Sequence, residues 1–197
     1  MPWSVYSLAF TGGFVIMSME LLGGRLLAPY FGSSIYVWGS IISVFMLALS
    51  VGYLLGGRLT LAKVSLQRFA LIFLLGAALL LPLTLGNEAA MSWIFERIID
   101  PRLGSLMACM VLFFVPTVIL GMISPYAVRL LVQHTHEAGA VAGRLYFVST
   151  LGSALGTLLT SFYLVLWFEI NTLFALLCLS LAVCGVLGWL FGLWKKA

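Results

Sequence analysis

From Trp3 to Trp194 the sequence is a succession of six apolar runs, each long enough to cross a bilayer. A helix needs about 20 apolar residues to span ~30 Å of hydrocarbon. The runs fall at about Trp3–Pro29, Tyr36–Ala62, Leu66–Gly86, Leu103–Leu131, Ala140–Phe168 and Ile170–Trp194. Six such spans nearly exhaust 197 residues, of which 63% are hydrophobic and 8% charged, so no sizeable soluble domain is expected. The expected fold is all-α: a polytopic bundle of six transmembrane helices forming one domain over residues 1–197. The first run lacks a basic leader and carries Glu20, so it reads as a retained helix and not a cleaved signal. Cys109, Cys178 and Cys184 all lie in apolar runs without C-x-x-C or metal-ligand spacing, and read as small core residues.

Between the third and fourth runs lies NEAAMSWIFERIIDP. Met91, Ile94, Phe95, Ile98 and Ile99 recur at helical spacing, while Glu88, Glu96, Arg97 and Asp100 fall off that stripe. The pattern predicts an interfacial amphipathic helix over about 88–99, with Asn87 as its N-cap. Arg58, Lys63 and Arg68 sit in one loop, Arg129 and Arg144 in another, and Lys195 and Lys196 at the end of the chain. The other side has only Arg97 and Arg102 beside three acids, so the positive-inside rule predicts cytoplasmic termini. The net charge of +4 then reflects topology, and a nucleic-acid partner is not expected. Trp3, Trp38, Trp167 and Trp194 are expected in an aromatic belt at the interfaces.

A shift of the sequence on itself by 104 residues brings Arg25-Leu26-Leu27 onto Arg129-Leu130-Leu131, and Gly52 onto Gly156. Ala48 falls on Gly152 and Gly56 on Thr160. This suggests a duplication, with a first repeat over about 3–86 and a second over about 103–194. Three spans per copy make it an inverted repeat, the plan of half a major facilitator fold. Ala48, Gly52 and Gly56, with Gly152, Gly156 and Thr160, are the expected helix-packing residues. The second and fifth spans are expected to approach each other through them. Ser149, Ser153, Thr157 and Ser161 add a polar stripe that serves either as packing glue or as the lining of a pathway. Pro116 is expected to kink the fourth span.

Charge inside a span is the first place to look for function, because an ionised side chain costs about 2.5–3.5 kcal/mol there on insertion scales. Glu20 and Arg25 are such residues. They lie about 140° apart around a helix and do not form the favoured i,i+4 pair. Arg25 reads either as snorkelling to the interface or as part of a site. Glu20 reads either as a structural partner for Ser, Thr or Arg of another helix, or as a cation or proton site. Arg129 reads as an interfacial anchor or a docking contact. With Ser124, Ser149 and Ser153 these three form the candidate ligand-binding set. His134 and His136 lack companion ligands, Glu169 is expected in solvent, and no metal site, cofactor or catalytic residue is expected.

The run Glu20-x4-Arg25-Leu-Leu-Ala-Pro29-x-Phe-Gly32, then Trp38 and LALSVGYLLGG, resembles the membrane region of fused spermidine synthases. GMISPYAVRL and GRLYFVSTLGSALGTLLTSFYL extend the resemblance to about Leu164. In that family a facilitator-like membrane part precedes an aminopropyltransferase domain. Here Trp194-Lys-Lys-Ala197 ends the sequence, so that activity is not expected of this polypeptide alone. Leu166-Trp-Phe-Glu169-Ile-Asn171 also stands where the family has a Pro-containing turn and Gly. The resemblance implies a multi-pass protein of the bacterial inner membrane, transporter-like for a polyamine or other cationic metabolite. It also allows a platform for a soluble aminopropyltransferase. Small size and few functional groups would equally suit a structural subunit of a larger membrane complex. The expected partners are therefore the lipid bilayer, a second copy in a homodimer, that enzyme, or other membrane subunits.

Overall fold

The computed structural model describes residues 2–132 and 134–194. Lys195 and Lys196, which enter the expected topology, lie outside the described residues. The elements are α1 (Pro2–Phe31), α2 (Ile35–Leu59), α3 (Leu66–Leu85), α4 (Asn87–Arg97), α5 (Pro101–Gly121), α6 (Ile123–Leu131), α7 (Ala138–Leu159), α8 (Val165–Trp167) and α9 (Ile170–Trp194). A single 3₁₀ turn, Thr135–Glu137, precedes α7, and a π-helical turn, Thr160–Leu164, joins α7 to α8. No strand occurs among the described residues. Six stretches are long and apolar enough to cross a membrane: Trp3–Phe31, Ile35–Leu59, Leu66–Leu85, Pro101–Leu131, Thr135–Trp167 and Ile170–Trp194.

Local chemistry sets the ends. α1 stops at Gly32, whose φ of +78° reverses the chain at no steric cost and whose N–H donates to the Ala28 carbonyl. Ser65 caps α3, its hydroxyl accepting from the Arg68 N–H. Asp100 caps α5 in the same way, with Pro101 at the first helical position, where a missing N–H is harmless. The fourth span is interrupted, but at Met122 and not at Pro116, through which α5 continues unbroken. The reason is Pro125, which lacks the N–H that would bond the Gly121 carbonyl and so separates α5 from α6.

Three long seams hold the bundle: α1 against α7, α2 against α5, and α3 against α9. The expectation that the second and fifth spans meet is corrected, because α2 and α7 are not a packed pair. Gly52 instead abuts the Val118 carbonyl of α5. Gly56 lies against Met122 and Pro125, where a Cβ would fall 2.7 Å from Met122 Cα. Gly152 and Gly156 face the carbonyls of Phe10 and Phe14 in α1. Small residues thus mark close approach, as read from the sequence, but spacing alone does not say which helix approaches.

The interior is aromatic at its centre. Phe113 lies between Phe45 and Phe174, at centroid distances of 5.6 and 6.3 Å, and Phe69 stacks on Tyr126 at 5.7 Å. Buried Met91 and Ile94 face α4 inward, and Phe95 meets Tyr30 and Phe31 edge-on. Asn87 is not the N-cap of α4; Gly86 holds that place. The buried Asn87 amide instead donates to the Leu83 carbonyl of α3 and to Asn171 Oδ1 of α9, both at 2.6 Å. It ties three elements together because the carbonyls ending α3 need donors. Trp3, Trp167 and Trp194 are exposed, whereas Trp38 is half-buried over Gly24.

Candidate functional site

A cavity of about 440 Å³ opens between α1, α2, the α5–α6 junction and α7. Its polar wall is made by Ser124 of α6, by Ser149, Thr150 and Ser153 of α7, and by the phenols of Tyr53 and Tyr146. Gly13, Ile16 and Met17 of α1 complete the lining, with Gly13 packed directly against Ser149 and Ser153. The helix break at Met122 places Ser124 here, on the first turn of α6. On α7, residues 146, 149, 150 and 153 follow i, i+3, i+4, i+7, so one face carries every hydroxyl.

Two α7 hydroxyls are stable in an apolar setting because they bond within their own helix. Ser153 Oγ donates to the Ser149 carbonyl at 3.2 Å, and Thr157 Oγ1 to the Ser153 carbonyl at 3.0 Å. A hydroxyl that has spent its proton this way still offers lone pairs. The cavity therefore offers hydroxyl lone pairs from Ser124, Ser149, Thr150 and Ser153, with Tyr53 and Tyr146 at its border. Farther along the α1–α7 seam, Thr160 Oγ1 donates to Ser18 Oγ at 2.9 Å, and Ser18 Oγ donates to the Gly156 carbonyl at 3.4 Å, all in buried positions.

The candidate ligand residues divide into three groups. Ser124, Ser149 and Ser153 meet in this one cavity. Glu20 continues the α1 stripe of Gly13, Ile16 and Met17 and stands one turn beyond the lining. It is half-buried and has no hydrogen bond or ion pair among the described residues. Arg25 and Arg129 lie elsewhere. Arg25 Nη1 donates to the Val165 carbonyl of α8 at 2.7 Å and borders a separate cavity of about 470 Å³ with Glu88 and Glu169. Arg129 is exposed near the end of α6, without a partner among the described residues.

Tyr53, Tyr146 and Thr150 were not singled out by the sequence reading. The signal for two of them lay in the α7 stripe, which extends from Ser149 to both Tyr146 and Thr150 on the same face. Tyr53 carries no such stripe, since Ser50 is the one hydroxyl residue near it on α2. Among the described residues no cluster of three or more His, Cys, Asp or Glu side chains is placed to hold a metal. His134 and His136 stack on each other at 5.6 Å, and His136 meets Glu137 at the exposed start of α7. The three cysteines are unpaired thiols, buried or half-buried among helices. No family profile, curated protein or solved structure matches this chain.

Proposed function

We propose that this chain is a multi-pass membrane protein, transporter-like for a small cationic amine such as a polyamine. The single observation behind the proposal is the hydroxyl-lined cavity within the spans, with the unpaired Glu20 one turn away along α1. A protonated amine needs acceptors and a counter-charge when it leaves water. Ser and Thr lone pairs supply the first, Glu20 the second, and the faces of Tyr53 and Tyr146 add cation–π attraction. A volume of about 440 Å³ lies in the usual range for small-ligand sites. The resemblance of Glu20-x4-Arg25 and its flanks to the membrane region of fused spermidine synthases favours the same ligand class.

The inverted repeat, the likeness to half a facilitator fold, the bacterial inner membrane and the cytoplasmic termini belong to this proposal. Contact registers support the repeat. Gly52 faces the Val118 carbonyl and Gly156 faces the Phe14 carbonyl, and both members of the two contacts are related by the same shift of 104. Thr160 meets Ser18 where Gly56 meets Met122, again at that shift. Exchanging the copies turns the α1–α7 seam into the α5–α2 seam and the α3–α9 seam into itself.

The test is uptake of labelled spermidine and putrescine by proteoliposomes holding the full chain, beside calorimetric binding in detergent. Wild type is expected to bind in the micromolar range and to transport. Glu20→Gln is expected to lose at least tenfold in both while keeping its elution profile. Neither binding nor flux by wild type would end the amine reading. A second reading, a platform for a soluble aminopropyltransferase, draws on Arg129, which is exposed and unpaired on the more basic side. Co-purification of such an enzyme, lost in Arg129→Glu, would favour it.

A further inference from the structure

On the side of the bundle that carries the α2–α3 loop, a pocket of about 320 Å³ is bordered by Lys63, Arg68, Leu71 and, from α9, Trp189. The two cations are held together by the fold. Arg68 Nη1 donates to the Lys63 carbonyl at 2.9 Å. Ser65 between them is pinned by the buried Tyr126, whose hydroxyl receives the Ser65 N–H at 3.1 Å and donates to the Ser65 carbonyl at 3.3 Å. Yet among the described residues no carboxylate borders the pocket, and neither Lys63 nor Arg68 has an ion pair. Arg68 also sits in the first turn of α3, where the helix end is already positive. A rigid loop that gathers positive charge without a counter-charge is electrostatically incomplete.

Position supplies the rest. The pocket starts in the loop that joins two spans and runs down past Leu71, an exposed apolar residue one turn deeper on α3. Trp189, half-buried near the end of α9, has the apolar body and N–H tip of an interfacial anchor. We propose that this pocket is a headgroup site for an anionic phospholipid, its phosphate between Lys63 and Arg68 and its acyl chain along Leu71. Basic pockets between spans on the cytoplasmic side bind such headgroups by the same charge pairing. Nothing in this site depends on Glu20 or on the amine cavity.

The experiment uses the purified, delipidated full chain in a neutral detergent, titrated with phosphatidylglycerol, phosphatidylcholine or inorganic phosphate, and read by native mass spectrometry and thermal unfolding. Phosphatidylglycerol is expected to bind and raise the unfolding midpoint, and the other two are not. Lys63→Gln and Arg68→Gln should each weaken phosphatidylglycerol binding about fivefold, the loss of one surface cation. Arg144→Gln, a cation lost elsewhere on the same side, should leave it unchanged. Lys63 is exposed in a loop, so its variant separates lost binding from lost folding. The proposal is overturned if phosphatidylcholine binds equally, or if Lys63→Gln retains wild-type affinity. It is also overturned if inorganic phosphate alone reproduces the shift, which would make the ligand a soluble anion.

Discussion

Helices α1 and α7 share a seam, yet they live in opposite surroundings. Half of the first span is buried, and α1 touches α2, α4, α5, α6, α7 and α9. The fifth span, which contains α7, is only 17% buried and is the least apolar of the six by mean hydropathy. Its exposed side carries Phe147, Leu151, Leu155, Leu158 and Phe162, while its glycines and hydroxyls turn toward α1 and the cavity. In water that arrangement would be inside out. In lipid the apolar face has nothing to gain by burial, and contact is decided by how closely two backbones approach. Overall hydropathy therefore locates a span, whereas its small residues locate the seam.

The severest way to break this comparison is to fill the seam. At Gly156 an added Cβ would lie 2.5 Å from the Phe14 carbonyl oxygen and 3.0 Å from its Cα, both backbone atoms that cannot swing away. Gly156→Leu is expected to cost about 3 kcal/mol or more, at the upper end of overpacking effects. Loss of the monodisperse peak in detergent, or a large fall in the unfolding midpoint, would register it. On the opposite side of the same helix, Leu158→Ala removes an exposed side chain and should stay within about 0.5 kcal/mol of wild type. Similar losses for both variants would refute a one-sided α7.

The C-terminal end of α1 offers a smaller test, because it leans on α4 through Tyr30, Phe31 and Phe95. α4 is fixed in turn by Asn87. Asn87→Ala strands the Leu83 carbonyl and Asn171 Oδ1, one of them at a buried helix end, and should destabilise by about 2 kcal/mol. Chemical denaturation in mixed micelles would measure it. Asn171→Ala leaves the Leu83 bond intact and should cost less. An equal cost would place the burden on the Asn–Asn contact alone.

These cases mark what was legible. The number and rough limits of the spans followed from run length, because lipid thickness sets that length directly. Close approach at Gly52, Gly56, Gly152 and Gly156 was legible for a similar reason: small side chains recur only where something large is excluded. The partner of each seam was not, since every helix in an apolar chain offers much the same surface. Asn87 looked like a cap because caps are local, but its amide answers α3 and α9, which no local pattern encodes. The π-helical turn over Thr160–Leu164 left no trace in composition. In the cavity, Ser149 and Ser153 could be read from their stripe, whereas Tyr53 needed the folded bundle.

Arg25 and Arg129 extend the comparison to the two ends. They match under the shift of 104, yet among the described residues only Arg25 of the two has a partner, the Val165 carbonyl. α8 ends two residues later, so that carbonyl has no donor within its helix, and a cation at a helix C-terminus is favourable. Arg25→Gln should cost about 1 kcal/mol, discounted because the side chain is exposed. Arg129→Gln should fall within about 0.5 kcal/mol. Thermal unfolding of the two variants side by side would show the asymmetry, and equal shifts would remove it.

The mildest test has the opposite sign. In α7, Gly152 and Gly156 face backbone, but a Cβ at Gly143 would have nothing within 4 Å. Gly143 lies inside the helix at an exposed position, so it carries the entropic cost of glycine without a packing reason. Gly143→Ala is therefore expected to stabilise by about 0.5–1 kcal/mol, whereas Gly152→Ala must push a methyl group into the Phe10 carbonyl and should destabilise. The same substitution, nine residues apart on one helix, should move the unfolding midpoint in opposite directions. If both raise it, α1 and α7 do not meet along the glycines, and the distinction between a central and a peripheral helix loses its physical basis.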